Sequence, residues 1–178
     1  MIREQADALL AQSGLMELLN AYGTACVTGS YSMDMMCWND LDLYIEDSPQ
    51  LRRNWFALVG DVLGALQPCR FDGICRGGEL FLGCETMRTG ERWNVDLWVR
   101  SRAQIESAAE YCGAILRRTE REPELKEAIM EIKRALIAQK LYGMEKRADR
   151  HYHSGEIYRA VLEEGIRTPE EFLEKHAL

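Results

Sequence analysis

The chain has 178 residues of ordinary globular composition, enough for one domain or for one domain plus a small lobe. Its 22 Lys and Arg against 29 Asp and Glu leave a net charge of -7, which argues against non-specific binding to DNA or RNA, so no stable nucleic-acid partner is expected. No apolar stretch is long enough to cross a bilayer, and Arg3, Glu4 and Asp7 fall in an amphipathic pattern rather than a signal sequence, so the expectation is a cytoplasmic protein with no membrane partner.

Residues 3–20 carry apolar side chains at helical spacing, with Ser13-Gly14 as the point of interruption. Residues 24–28 are small and β-branched and suit a strand, which Gly29-Ser30 ends. Residues 31–37 read as a short helix or turn and residues 41–45 as the next strand. Ser48 and Pro49 are an N-cap and a first helical residue, and the helix they open runs to about Leu66, before Pro68. Three strand-like runs follow, Arg70 to Cys75, Leu80 to Thr86 and Trp93 to Val99, with turns at Gly77-Gly78 and Thr89-Gly90.

From Ser101 onward the pattern is helical only. Arg121-Glu122-Pro123 separates one helix from a long amphipathic segment, Pro123 to Ala148. Ser154 to Glu164 is a further helix ended by Gly165, and Thr168-Pro169-Glu170-Glu171 opens the last one as a capping box. The division expected is therefore an α/β part, residues 1–100, and a helical lobe, residues 101–178. The six cysteines, at 26, 37, 69, 75, 84 and 112, form no CxxC pair and lie mostly in apolar runs, as reduced, buried thiols do.

The chemistry-bearing pattern lies between Val27 and Ile45. Gly29-Ser30 at a strand-to-helix turn offers backbone N–H groups to an anion. Asp40 and Asp42, two apart on a strand, point to one side and can share a divalent cation, while Leu41, Leu43 and Ile45 take the other side. In Trp93 to Val99, Asp96 shares a face with Asn94 and Trp98, opposite Val95, Leu97 and Val99. A carboxylate in so apolar a strand is costly unless paired, hydrogen-bonded or metal-bound. Beside the first strand it completes a cluster of three, whose mutual repulsion divalent cations relieve. Two such ions suit an in-line displacement at phosphorus.

Gly29-Ser30, the spacing to Asp40-Leu41-Asp42 and the later Asp96 resemble the DNA polymerase beta-type nucleotidyltransferase superfamily, and most of all its small bacterial members, the aminoglycoside and lincosamide and the minimal nucleotidyltransferases. The resemblance implies an α+β fold, a small mixed β-sheet flanked by helices, followed by a C-terminal helical lobe. It implies transfer of a nucleoside monophosphate from an NTP such as ATP, with two Mg²⁺ ions, to a hydroxyl. Gly29 and Ser30 would hold the β- and γ-phosphates, Asp40 and Asp42 both metals, and Asp96 the metal nearer the attacking hydroxyl. Lys140, late in the long helix, would contact the triphosphate, as basic residues of the helical lobe do in similar enzymes; Arg134 and Arg147 recur at similar spacing. Many members have a small or basic residue just after the Gly-Ser, where this chain has Tyr31, Ser32, Met33 and Asp34.

Further candidates are Glu85 as general base for the acceptor hydroxyl, Tyr44 and Trp98 as pocket walls or core aromatics, and Arg88 and Arg92 as phosphate contacts or turn residues. His151 and His153 read as a polar loop rather than a metal pair. The acidic balance favours a cationic or neutral small-molecule acceptor, antibiotic-like in the resemblance. The alternative is an antitoxin-type minimal nucleotidyltransferase that modifies or binds a toxin-like partner protein; a homodimer is the other association considered.

Overall fold

The computed structural model describes residues 1–76, 78–147, 149 and 151–177. Gly77 of the expected turn and Ala148, the expected end of the long helix, lie outside the described residues. The chain forms two compact units, Met1–Gly113 and Ala114–Leu178, divided inside the helix Arg102–Arg121 rather than at the change of pattern near residue 100.

The first unit opens with α1 (Ile2–Ser13) and α2 (Leu15–Tyr22), broken at Gly14, whose φ of 62° is left-handed. After β1 (Ala25–Thr28) come α3 (Gly29–Ser32), β2 (Asp40–Glu46), α4 (Pro49–Arg53) and α5 (Trp55–Leu66). Ser48 caps α4 as expected, accepting the Leu51 N–H at 3.0 Å. The single helix expected from residue 48 to 66 is in fact two. Asn54, at φ -100° and ψ 9°, leaves the helical region and serves as the end of α4 and the start of α5. β3 (Arg70–Arg76), β4 (Glu79–Thr86) and β5 (Trp93–Arg100) complete a five-stranded mixed sheet ordered β1-β2-β5-β4-β3, in which only β2 and β5 run parallel.

One face of that sheet is apolar. Leu41, Leu43 and Ile45 of β2, Leu80, Leu82 and Cys84 of β4, and Val95, Leu97 and Val99 of β5 are buried there, in one core with Leu9, Leu15, Leu19, Leu58, Val62 and Leu66 of the helices. The other face carries Asp40, Asp42 and Tyr44 of β2, Phe81 and Glu85 of β4, and Asn94, Asp96 and Trp98 of β5, all half-buried. The period of two thus sends the core residues and the candidate site residues to opposite sides of one sheet.

The second unit holds the end of α6 (Arg102–Arg121), then α7 (Pro123–Ala138), α8 (Ser154–Leu162) and α9 (Pro169–Lys175). Leu125, Ile129, Ile132 and Leu136 bury one side of α7 against α8 and α9. Thr168 and Glu171 form the expected capping box at α9. The long helix expected to run to residue 148 instead stops at Ala138. The Leu141 N–H bonds back to the Leu136 carbonyl at 2.8 Å and the Lys140 N–H to the Ile137 carbonyl at 3.0 Å, with Lys140 at φ 56°. This is a Schellman closure with lysine in the position glycine usually takes, and the buried pair Leu136 and Leu141 supplies its apolar contact.

Candidate active site

Thr28 ends β1 opposite Asp42 of β2, and the chain turns at once into α3. Gly29 makes that turn at φ 65°, where a Cβ would lie 2.5 Å from Asp42 Oδ2. Only glycine combines this backbone conformation with so close an approach to a carboxylate. The single turn of α3 closes like the end of α7. The Met35 N–H bonds to the Ser30 carbonyl at 2.8 Å and the Asp34 N–H to the Tyr31 carbonyl at 3.2 Å, with Asp34 left-handed at φ 53°. Aspartate is among the few residues that visit that region readily. Tyr31 turns to α1: its hydroxyl donates to Asp7 at 2.7 Å, and the Arg3 guanidinium lies 3.6 Å from its ring centroid. The stretch Tyr31 to Asp34 thus ties the turn to α1 and caps α3.

Across the parallel pair β2–β5, Asp40 stands opposite Asn94, Asp42 opposite Asp96 and Tyr44 opposite Trp98. The three aspartates therefore share the half-buried face, as strand parity requires. Asn94 Nδ2 donates to Asp40 Oδ1 at 2.7 Å and so orients that carboxylate. On the far side of Asp96, Gly83 of β4 is its partner, and a Cβ there would come within 3.2 Å of Asp96 Oδ1. Among the described residues, no three carboxylate, thiol or imidazole groups converge into a ready-made cation cage. Mg²⁺ does not require one: it is commonly held by one or two carboxylates and completed by substrate phosphates and water. The donor set fits it. Asp42 and Asp96 are direct partners, both are hard oxygen ligands, and glycines flank both carboxylates.

An aromatic strip continues the same face. The Phe81 and Trp98 rings lie 4.2 Å apart, and the Arg100 guanidinium lies 4.4 Å from Trp98 and 6.0 Å from Tyr44. Burial first, and Asp42 second, push the Tyr44 hydroxyl above its ordinary range, against the pull of Arg100. Cys84, on the core face, is pushed up to about 12 by burial, with the negative charge of Asp96 adding to it, so it stays a protonated thiol and is no nucleophile.

The remaining candidates separate. Glu85 does lie on the aspartate face, opposite Asn94, but Arg92 holds it at 2.5 Å and Arg70 at 3.6 Å. Arg88 donates to the Gln12 carbonyl at 3.0 Å. In the second unit, Lys140 lies past the end of α7 rather than within it, 3.5 Å from Glu145 and mostly exposed. Arg134 is exposed and Arg147 pairs with Asp149 at 3.1 Å. The His151 and His153 rings meet edge to face in the loop before α8. The cation that the sequence reading passed over is Lys133. It is fully buried and donates to the Tyr158 hydroxyl at 2.7 Å. Helical spacing contained the signal, since Lys133 follows Ile129 by four residues on the buried side of α7.

No protein-family model matches the chain, and no curated protein matches its sequence. Solved structures do match its fold. A crystal structure of the Cid1 poly(U) polymerase bound to MgATP superposes with a TM-score of 0.61 at 12% identity, over 80% of this chain and 44% of that one. A cytoplasmic RNA terminal U-transferase gives 0.67 at 14%, over 90% and 47%. The polymerase core of TRAMP, an RNA surveillance complex, gives 0.60 at 16%, over 89% and 48%. The chain spans less than half the length of these enzymes, and what it shares with them is an α+β fold of the nucleotidyltransferase type.

Proposed function

We propose that this chain is a Mg²⁺-dependent nucleotidyltransferase that moves a nucleoside monophosphate from an NTP to a hydroxyl of a small molecule. The observation that carries the reading is the direct pairing of Asp42 with Asp96, with Gly29 packed against the Asp42 carboxylate at a distance only glycine allows. Asp40, Asp42 and Asp96 would hold Mg²⁺, with Asn94 orienting Asp40. Bound there, the metal would neutralise phosphate charge and polarise the phosphorus centre. The turn at Gly29-Ser30 receives the β- and γ-phosphates. The acceptor oxygen bonds to the α-phosphorus, the bond from that phosphorus to the bridging oxygen breaks, pyrophosphate leaves with the electron pair, and the acceptor proton passes to water. The net charge of -7 favours a neutral or cationic acceptor.

A second reading is transfer to an RNA 3′-hydroxyl. The fold neighbours, a poly(U) polymerase and an RNA terminal U-transferase among them, favour it. One experiment separates the two. The chain is incubated with Mg²⁺ and α-labelled NTPs alongside an aminoglycoside, a lincosamide, an RNA oligomer and cell lysate. Label on a small molecule supports the first reading, label on RNA the second, and label on a protein the antitoxin-type alternative. Absence of label on every acceptor, with Mg²⁺–NTP binding identical in wild type and Asp42→Asn, sinks the enzyme altogether.

A further inference from the structure

Gly83 sits in the middle of β4, paired on one side with Asp96 and on the other with Asp72. A glycine is unfavourable in the interior of a strand bonded on both edges, and it commonly marks a bulge or a place that something must approach closely. Gly83 is not among the residues with positive φ, so its backbone conformation is open to any residue. What matters there is the missing side chain. A Cβ would lie 3.0 Å from the Phe81 ring and 3.2 Å from Asp96 Oδ1, so it would drive one or the other aside. Above the glycine is a cavity of about 190 Å³, bounded by Asp96, Asn94, Phe81, Asp72 and Arg70. Typical small-molecule pockets run from about 300 to 1,000 Å³, so this one admits the end of a molecule rather than the whole of it.

We propose that this cavity receives the reacting end of the acceptor, an alcohol no larger there than a single ring, and that Gly83 sets the size of acceptor that can bring its hydroxyl up to Asp96. This rests on the nucleotidyl-transfer reading. In it, the hydroxyl oxygen bonds to the α-phosphorus, pyrophosphate departs with the electron pair and the proton goes to water. Phe81, braced by Trp98, forms the apolar wall, and Gly83 is the floor.

The test uses the full chain with Mg²⁺, and with glycerol, glucose and uridine as alcohol probes of rising bulk. Binding is followed by the NMR signals of the Gly83 amide and the Trp98 indole N–H, and transfer by α-labelled ATP in parallel. In the wild type, glucose or uridine shifts both signals. Gly83→Ala and Gly83→Val weaken the ring-sized probe at least about tenfold relative to glycerol, because one added carbon in a close pocket discriminates on that scale; the ratio is read within each variant, so a displaced Asp96 affects both probes alike. Melting curves confirm that the variants are folded. Phe81→Ala in the Gly83→Ala background removes the neighbour nearest the new Cβ and recovers most of the ring binding. Probes that leave both signals unmoved in the wild type, or variants whose ring-to-glycerol ratio equals that of the wild type, overturn the proposal. Ring binding that depends on Gly83, without any transfer, upholds the cavity and rejects the nucleotidyl-transfer reading instead.

Discussion

Gly29 and Asp42 meet so closely across β1 and β2 that Asp42 Oδ2 lies 2.5 Å from the place a Cβ on residue 29 would take. Gly14 has almost the same backbone, φ 62° against 65°, with nothing within 4 Å of its Cβ position. The two glycines therefore separate strain from collision. Gly14→Ala pays the left-handed penalty of roughly 1–2 kcal/mol, a drop of about 2–8 °C in Tm, and keeps its activity. Gly29→Ala pays the same penalty and also displaces Asp42, so nucleotidyl transfer falls at least about a hundredfold, as oriented sites do on small misplacements. Equal activity in the two variants would remove Gly29 from the site.

Asp42 and Asp96 are partners, and neither completes a cation cage among the described residues. Mg²⁺ should therefore bind weakly to the chain alone and much more tightly once an NTP contributes phosphate oxygens. Calorimetric Mg²⁺ titration with and without a non-hydrolysable NTP tests this. Asp42→Asn and Asp96→Asn abolish the difference, whereas Asn94→Ala, which removes one hydrogen bond that orients Asp40, costs about 10- to 100-fold in metal affinity or turnover. Tight Mg²⁺ binding without nucleotide would contradict the arrangement.

Glu85 faces the aspartates, yet its oxygens are taken up by Arg92 and Arg70. With that exposure these ion pairs are worth about 1 kcal/mol or less. Glu85→Gln is expected to leave the pH–rate profile in place and to lower turnover by less than about tenfold, short of the 10²–10⁴ typical of a general base. Loss of one limb of the profile would make Glu85 the base after all.

Cys84 gives a pH signature in stability. Its folded value, about 12, stands above the ordinary 9.0, so the folded chain keeps a proton that the unfolded chain releases. The stabilisation is whole below pH 9 and drains away as pH climbs from 9 towards 12. By pH 10.5 the loss is about 2 kcal/mol, or roughly 4–8 °C in Tm. Melting curves of wild type and Cys84→Ala at pH 8 and pH 10.5 should diverge by that amount; parallel curves would refute the assignment.

Lys140 occupies the left-handed position of the Schellman closure at φ 56°. Lys140→Gly should stabilise the chain by about 0.5–1 kcal/mol. If Lys140 also touches the triphosphate, the same change raises the KM for NTP; a higher Tm with an unchanged KM limits the residue to a structural role.

Much of the first unit could be read from its letters because the alternation in Asp40 to Glu46 and in Trp93 to Arg100 is strict. Two faces of opposite character leave one register, and that register brings Asp42 to Asp96. Chain ends and partners were harder to read. Nothing local distinguishes Lys140 as a left-handed residue, since glycine, the usual signal, is absent. Glu85 reads as a candidate general base because its arginines reach it through strand pairing and a turn, contacts that depend on the assembled sheet. Lys133 is masked by its type: a lysine on the buried side of α7 runs against the usual exposure of lysine, and partners such as the Tyr158 hydroxyl, which come from another helix, make the position tenable.

The alternation in β2 and β5 also bears on how the chain avoids misfolding. A slip of one residue in either strand would turn Asp40, Asp42 or Asp96 into the layer occupied by Leu9, Leu58 and Val62 and would expose leucines in their place. Carboxylates forced among aliphatic side chains would make that mispaired sheet far less stable than the native one. The three aspartates thus also act as proofreaders of strand alignment, and replacing them with leucine should give a chain that is inactive and also prone to pair its strands wrongly.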